Sequence, residues 1–360
     1  MIRMGYDASV TLAPGGAGIA RYTLELLRAL VELSPEDIRY SVLLNSLRHR
    51  PDERHAFLFD SPRVDVAVRR LPGPLVVRGW ETVRLPLWRT LVGHTCGVVH
   101  APASYIPPTL SPTVVTIHDL AFLREDEARP LAGESFAREF PRRLPAVAAI
   151  IVPSRFVASC VETTYGISPA RIHTIASGID HSIFRCGEPQ PRRFDVLAIT
   201  QEGIARKRSN WVAPILERLR ASRPDLRAGV LGMPTEPLPP WAERLGRVDD
   251  TQLAGLYRSS GATLLTTREE GFGFPVLESL ACGTPVVCPK HSSLPEVGGD
   301  SAHFSDDDSV ESLASRLAAI LDAPPGSQWK DEAARHVSEF RWSGTVTRVL
   351  EVYRAVGGAN

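Results

Sequence analysis

Short apolar runs alternate with longer stretches whose apolar positions recur at the three-to-four-residue spacing of an amphipathic helix, almost from one end of the chain to the other. In the first half the runs predict strands at 2–7, 40–44, 64–68, 97–100, 114–117, 149–152 and 172–175. The clearest helical stripe lies at 18–33, where Ile19, Tyr22, Leu26, Leu27 and Leu30 share a face. In the second half strands are predicted at 195–200, 228–232, 262–267 and 285–288, with helices near 210–222, 251–259, 275–281 and 309–322. A further amphipathic helix at 343–356 carries Val346, Val349, Leu350 and Tyr353 along one side. Strand–helix alternation of this kind implies α/β architecture with parallel sheets covered on both faces.

The periodic pattern breaks at 184–194, where FRCGEPQPRRF is rich in Pro, Gly and Arg without any apolar spacing. Such composition suits a linker. A chain of 360 residues also exceeds what one hydrophobic core usually serves. The expectation is a first domain over 1–183, a linker over 184–194 and a second domain over 195–342. Ligands in doubly wound sheets bind beyond the carboxyl ends of the strands, so two such domains in series predict a cleft between them.

Composition narrows the function classes. Acidic and basic residues balance at 41 each, which argues against a general nucleic-acid binder. All but three of the basic residues are arginine, so the lysine positions, Lys207, Lys290 and Lys330, each invite inspection. The five cysteines form no CxxC pair, and neither a zinc site nor a disulfide framework is indicated. No window approaches the ~18 apolar residues of a membrane span, and the opening MIRMGYDASV runs straight into a strand rather than a leader. The expected compartment is cytoplasmic, with peripheral association at the inner membrane face left open.

The segment 267–287, TREEGFGFPVLESLACGTPVV, concentrates the chemistry. A buried strand ends in Glu269 and Glu270, a tight turn with Gly271 and Gly273 follows, and Pro275 suits the first turn of a helix. Backbone N–H groups at a helix start favour an anion, and glycine lets a phosphate or sugar approach the main chain. Glu270 and Glu278 remain as acceptors for hydroxyl groups. The ligand demanded is polyhydroxylated and anionic at once, which describes a nucleotide sugar.

This segment resembles the signature of family 4 of the GT-B glycosyltransferases, E-G-F-G-x-P-x-x-x-E followed by a small residue and G-T-P-V-V. It is matched at Glu270, Gly271, Phe272, Gly273, Pro275, Glu278, Gly283, Thr284, Pro285, Val286 and Val287. Ser293-Leu294-Pro295-Glu296-Val297 continues the match. Earlier in the chain, Gly16-Ala17-Gly18-Ile19-Ala20-Arg21-Tyr22 resembles the family's glycine loop before its first long helix. VVTIHDLAFL at 114–123 resembles the strand ending in its active-site His-Asp, and Ser177-Gly178-Ile179-Asp180 its N-G-[VI]-D element. The resemblance implies two Rossmann-like domains facing across a cleft, with the last helix, within 343–360, packing back on the first.

Position by position, the resemblance implies Glu278 against the donor's ribose hydroxyls and Glu270 against the transferred sugar, beside the backbone amides from Phe272 to Phe274. His118 would contact the donor sugar near the anomeric carbon, and Gly16, Ala17 and Gly18 would approach the distal phosphate. The departing diphosphate needs fixed cations. In QEGIARKRSNW at 201–211 Lys207 stands for the family's lysine, but Gln201 stands near where its arginine is expected, so Arg206 or Arg208 substitutes. The implied reaction retains anomeric configuration without an essential metal or cofactor. A GDP- or UDP-linked hexose, mannose-like favoured, passes to a sugar, lipid-linked or small-molecule acceptor.

Other readings compete with these. Asp306-Asp307-Asp308 imitates a D-x-D metal motif but directly precedes a helix, where acidic residues cap N–H groups. Paired glutamates could serve a glycosidase, but a parallel α/β frame with phosphate-type loops speaks against it. Arg21 stands where a dinucleotide fingerprint needs its third glycine. The stretch from Arg69 to Val92 is basic and apolar together and could lie on an anionic membrane, although Pro86 interrupts it as one helix. His100, His173 and His181 read as structural. A non-catalytic nucleotide-sugar module, motivated by Gln201, and a sugar-nucleotide epimerase are the alternatives to the transferase.

Overall fold

Strands β1 (Ile2–Asp7), β2 (Ile38–Asn45), β3 (Val64–Arg69), β4 (Val98–Ala101), β5 (Thr113–Thr116), β6 (Ala149–Val152) and β7 (Ile172–Thr174) form one sheet. Its order is β3-β2-β1-β4-β5-β6-β7, every neighbouring pair parallel. A second parallel sheet contains β8 (Phe194–Ile199), β9 (Ala228–Leu231), β10 (Ala242–Gly246), β11 (Ser260–Leu265), β12 (Val286–Cys288) and β13 (His303–Phe304), ordered β10-β9-β8-β11-β12-β13. The structure, a computed structural model, describes residues 2–13, 18–85, 87–123, 139–188, 190–201, 204–232 and 237–358.

In the first unit the pleat of β1 and β4 sorts side chains to two faces. Gly5 and Val99 face α4 (Trp88–Val92), and a Cβ on Gly5 would lie 2.8 Å from the Trp88 indole nitrogen, so glycine makes room for the largest buried side chain. That face is completed by α3 (Gly73–Thr82), whose Val76 and Trp80 join Leu43, Ala67 and Trp88 in one apolar cluster. Between the two helices the backbone N–H groups of Val83 and Leu85 both bond the Gly79 carbonyl, so the stretch after Arg69 is two helices rather than one. The opposite face carries Tyr6 and His100. His100 lies 2.6 Å from the Tyr353 hydroxyl through Nδ1 and 2.8 Å from the Thr116 hydroxyl through Nε2. Tyr353 sits on the helix Trp342–Gly357, which packs on α1 (Gly18–Leu33).

In the second unit the helices Val212–Ser222 and Val310–Asp322 cover one face of the sheet through Val212, Leu216, Leu313 and Leu317. Asp250–Arg258 and Phe274–Ala281 lie with the other, where Thr263 of β11 hydrogen-bonds Ser279 at 2.7 Å. The chain divides between Gly178 and Ile179 and returns to the first unit at Trp342. Residues of the expected linker thus belong to the second unit. Phe184 is fully buried there, edge-on to Tyr257 with ring centroids 6.5 Å apart, and the Ile179 N–H and His181 Nε2 both bond the Phe340 carbonyl at 3.1 Å.

Candidate active site

In the second unit β11 delivers the chain into the glycine-bearing loop, and hydrogen bonds lash that loop to the turn Ala205–Lys207. The Thr266 hydroxyl donates to the Lys207 carbonyl at 2.7 Å, and the Arg268 N–H to the Arg206 carbonyl at 2.6 Å. Fixed in this way, the Lys207 ammonium donates to Glu270 Oε1 and forms an ion pair with it. Both side chains are largely buried, at 20% and 11% exposure. The Glu270 N–H donates to Ser292 Oγ at 3.1 Å, and Ser293 Oγ lies 2.8 and 2.7 Å from the Glu270 and Phe272 carbonyls.

Gly273 turns the loop into the helix Phe274–Ala281 at φ +107°, with a Cβ position only 3.0 Å from Leu294, so this corner requires glycine. Four residues after Phe274, Glu278 is 2% exposed and accepts a hydrogen bond from the Tyr257 hydroxyl at 3.0 Å. Each carboxylate expected to receive hydroxyls therefore already has a protein donor. An ionised carboxylate has about four lone-pair sites, so capacity for a polyol remains. The rings of Phe272 and Phe274 meet edge to face at 5.1 Å.

Arg208 takes a different course. Its φ of +46° turns it out of the preceding helical turn, and its guanidinium grips Asp308 with both terminal nitrogens, Nη2 to Oδ2 at 2.7 Å, over the Trp211 ring. That guanidinium holds the Asp308 carboxyl below its ordinary value, with His291 adding to the effect. The acidic triplet does not cap the helix Val310–Asp322, because Ser309 is the cap. Asp306 pairs with Arg316 instead, and Asp307 accepts from the Ser309 hydroxyl. Among the described residues no group of His, Cys, Asp and Glu is arranged to hold a metal ion.

In the first unit His118 follows β5. Its Nε2 lies 2.7 Å from the Pro102 carbonyl, which can only accept, so the proton sits on Nε2 and Nδ1 of the neutral ring is an acceptor. Burial pushes the His118 pKa below the ordinary value, against the opposing Pro102 carbonyl and Asp119 carboxylate. Tyr22 of α1 stands edge-on to the ring at 4.7 Å, and Asp119 is tied down by the Ala121 N–H at 3.0 Å. Gly18 is the first residue of α1, whereas Gly16 and Ala17 lie outside the described residues.

The structure thus joins Lys207 with Glu270, and sets the Arg206 main chain against the same loop. Sequence reasoning missed Tyr257, Ser292 and Ser293 as the groups holding the two glutamates. Of these, Ser293 heads the Leu294-Pro295-Glu296 match, and Tyr257 ends the segment VDDTQLAGLY at 248–257, which resembles the family's helix before the strand that enters this loop.

Comparison with known proteins follows the same division. The family described as "Glycosyltransferase Family 4" matches residues 16–183, and that described as "Glycosyl transferases group 1" matches residues 242–337. The chain is 24% identical to the O-antigen chain mannosyltransferase B of Escherichia coli, over 94% of this chain and 96% of that one. Its fold is similar to that of sucrose-phosphate synthase from Thermosynechococcus elongatus, with a TM-score of 0.76 and 15% identity over the whole of both chains. HepE of Anabaena, solved in complex with UDP-glucose, is similar with a TM-score of 0.69 and 14% identity over 99% of this chain and 100% of that one.

Proposed function

We propose, for a chain that belongs to the family 4 and group 1 glycosyltransferases of the GT-B fold, that it moves a hexose, mannose favoured, from a GDP- or UDP-linked donor to an acceptor hydroxyl with retained configuration and no metal or cofactor. The observation that carries this reading is the ion pair between the half-buried Lys207 and the buried Glu270 of the glycine-bearing loop. A carboxylate held by an ammonium can accept from sugar hydroxyls while the ammonium faces the charge that develops on the departing diphosphate. Preorganised charge of this kind is the largest lever on such a step.

In this reaction the bond from the anomeric carbon to the donor phosphate oxygen breaks, and one from that carbon to the acceptor oxygen forms on the same face. The acceptor's proton passes to the departing phosphate, so no side chain need act as the base. Glu278, held by Tyr257, would receive the ribose hydroxyls. The neutral His118, with Nδ1 as acceptor, would meet the donor sugar. Purified protein incubated with GDP- and UDP-linked hexoses and followed by mass spectrometry should release nucleoside diphosphate from one donor. The same assay with Glu270→Ala should show almost none. Unchanged release from that variant would refute the assignment.

A peripheral membrane contact is supported by one surface. Around α3, Leu71, Leu75, Val83 and Leu85 are exposed by 37–66%, interleaved with the exposed Arg70, Arg78 and Arg84. Among the described residues no helix is long and apolar enough to cross a membrane. Co-sedimentation with anionic vesicles, lost in Leu75→Glu, is the expected behaviour.

A further inference from the structure

The first unit contains a cavity of about 150 Å³ that the chemistry above does not use. It opens where β1, β2 and β4 end, and α3 forms its outer wall. Leu43, Val76, Val77, Trp80 and Tyr105 supply most of the lining, and among the described residues no lysine or arginine lines it. Leu43, Val76 and Trp80 also belong to the packed cluster around Trp88, so these walls are fixed by the core. Asp7 and Asn45 bring polar groups from the strand ends, and Asp7 accepts a hydrogen bond from the Ser9 N–H at 3.0 Å. Pro102 lines the cavity too, and its carbonyl is the one that orients His118.

These features select a ligand class. A diphosphate has no cation to meet among the described lining residues, and a fully hydroxylated sugar would leave hydroxyls unpaired against apolar walls, which is costly. A dry apolar cavity of about this size accepts a single six-membered hydrocarbon ring. We propose that this cavity receives an apolar ring or short alkyl segment of the acceptor, adjoining a hydroxyl that hydrogen-bonds Asp7. The inference rests on the glycosyltransferase reading and names its acceptor class. The apolar group comes from an aryl aglycone or from a lipid chain, and both present the same surface to Trp80 and Val77.

The test compares methyl, phenyl and octyl glycosides of one hexose as acceptors, together with Val77→Trp and Ala103→Leu, each of which fills the cavity from a different wall. The phenyl or octyl glycoside should exceed the methyl glycoside in kcat/KM by on the order of 10-fold or more. Both variants should lose that preference while hydrolysing donor in water as the parent does. Which of the two glycosides leads identifies the source of the apolar group. Saturation-transfer NMR without donor reads the same preference as binding, so it decides the matter if no donor is consumed and the transferase reading itself fails. Equal use and equal binding of the three glycosides, or an unchanged preference in both folded variants, would overturn the proposal.

Discussion

In the second unit the groups suited to a charged, hydroxylated ligand are already paired with one another. Lys207 holds Glu270, Tyr257 holds Glu278, and Arg208 holds Asp308. In the first unit the counterpart region is built from a neutral histidine, a carboxylate at a strand end and apolar walls. The contrast shows two solutions to preorganisation. Charges proposed to meet a diphosphate are kept in place by opposite charges, whereas the space proposed for an apolar group is bounded by the packed core. The first solution is sensitive to removal of either partner, and the second to a change of volume.

The comparison breaks first, and most heavily, at the ion pair. Glu270→Ala or Lys207→Ala should each lower kcat/KM by on the order of 10²–10³-fold. The double variant should be little worse than either single one, which a double-mutant cycle of steady-state rates would read. Independent, additive losses would mean that the two residues do not act as a unit.

Acid should break the first unit next. Burial drives His100 down to about 3 and lowers His118, while burial also lowers His55 against the pull of Asp52. Unfolded histidines titrate near ~6.5, so below that pH the unfolded chain binds more protons and stability falls as pH falls through 6.5 toward 3. Thermal melts at pH 7.5 and 5.0 should differ, and the difference should shrink in His100→Gln. A volume change sharpens the contrast at smaller cost. Gly5→Val forces the Trp88 indole aside and should destabilise by about 1–3 kcal/mol in urea unfolding, with donor hydrolysis retained by the folded fraction. Tyr257→Phe removes one hydrogen bond from Glu278, with about 1 kcal/mol of stability and a raised donor KM expected. The smallest effect belongs to Arg208→Ala. Its Asp308 partner is 42% exposed, so less than about 1 kcal/mol is expected from the ion pair.

The unequal legibility of the two regions has the same origin. The glycine-bearing loop is one contiguous segment, so its glycine corner, proline and glutamates can be read in a row. The apolar cavity gathers Asp7, Leu43, Val77 and Tyr105 from four separate places, and nothing local marks them as neighbours. Among the elements, β1 and α1 match their predicted limits because each has a strong apolar pattern. The strand Ala242–Gly246 escaped because it is an edge strand with no buried residue to reveal a period. The helix Ser327–Val337 escaped because only Ala333 and Val337 are buried, too few to form a stripe.

The hydrogen bond between Tyr353 and His100 spans 253 positions of sequence. During synthesis, at about 5–20 residues per second, β4 would wait roughly ten to fifty seconds for the helix that satisfies its buried imidazole. The whole second unit would emerge in the meantime. A growing chain therefore carries an unfinished first unit, with the α1 flank uncovered, until residues 342–357 have been made. Chaperone occupancy on ribosome-bound chains should persist to that point and end only when the Trp342–Gly357 helix docks.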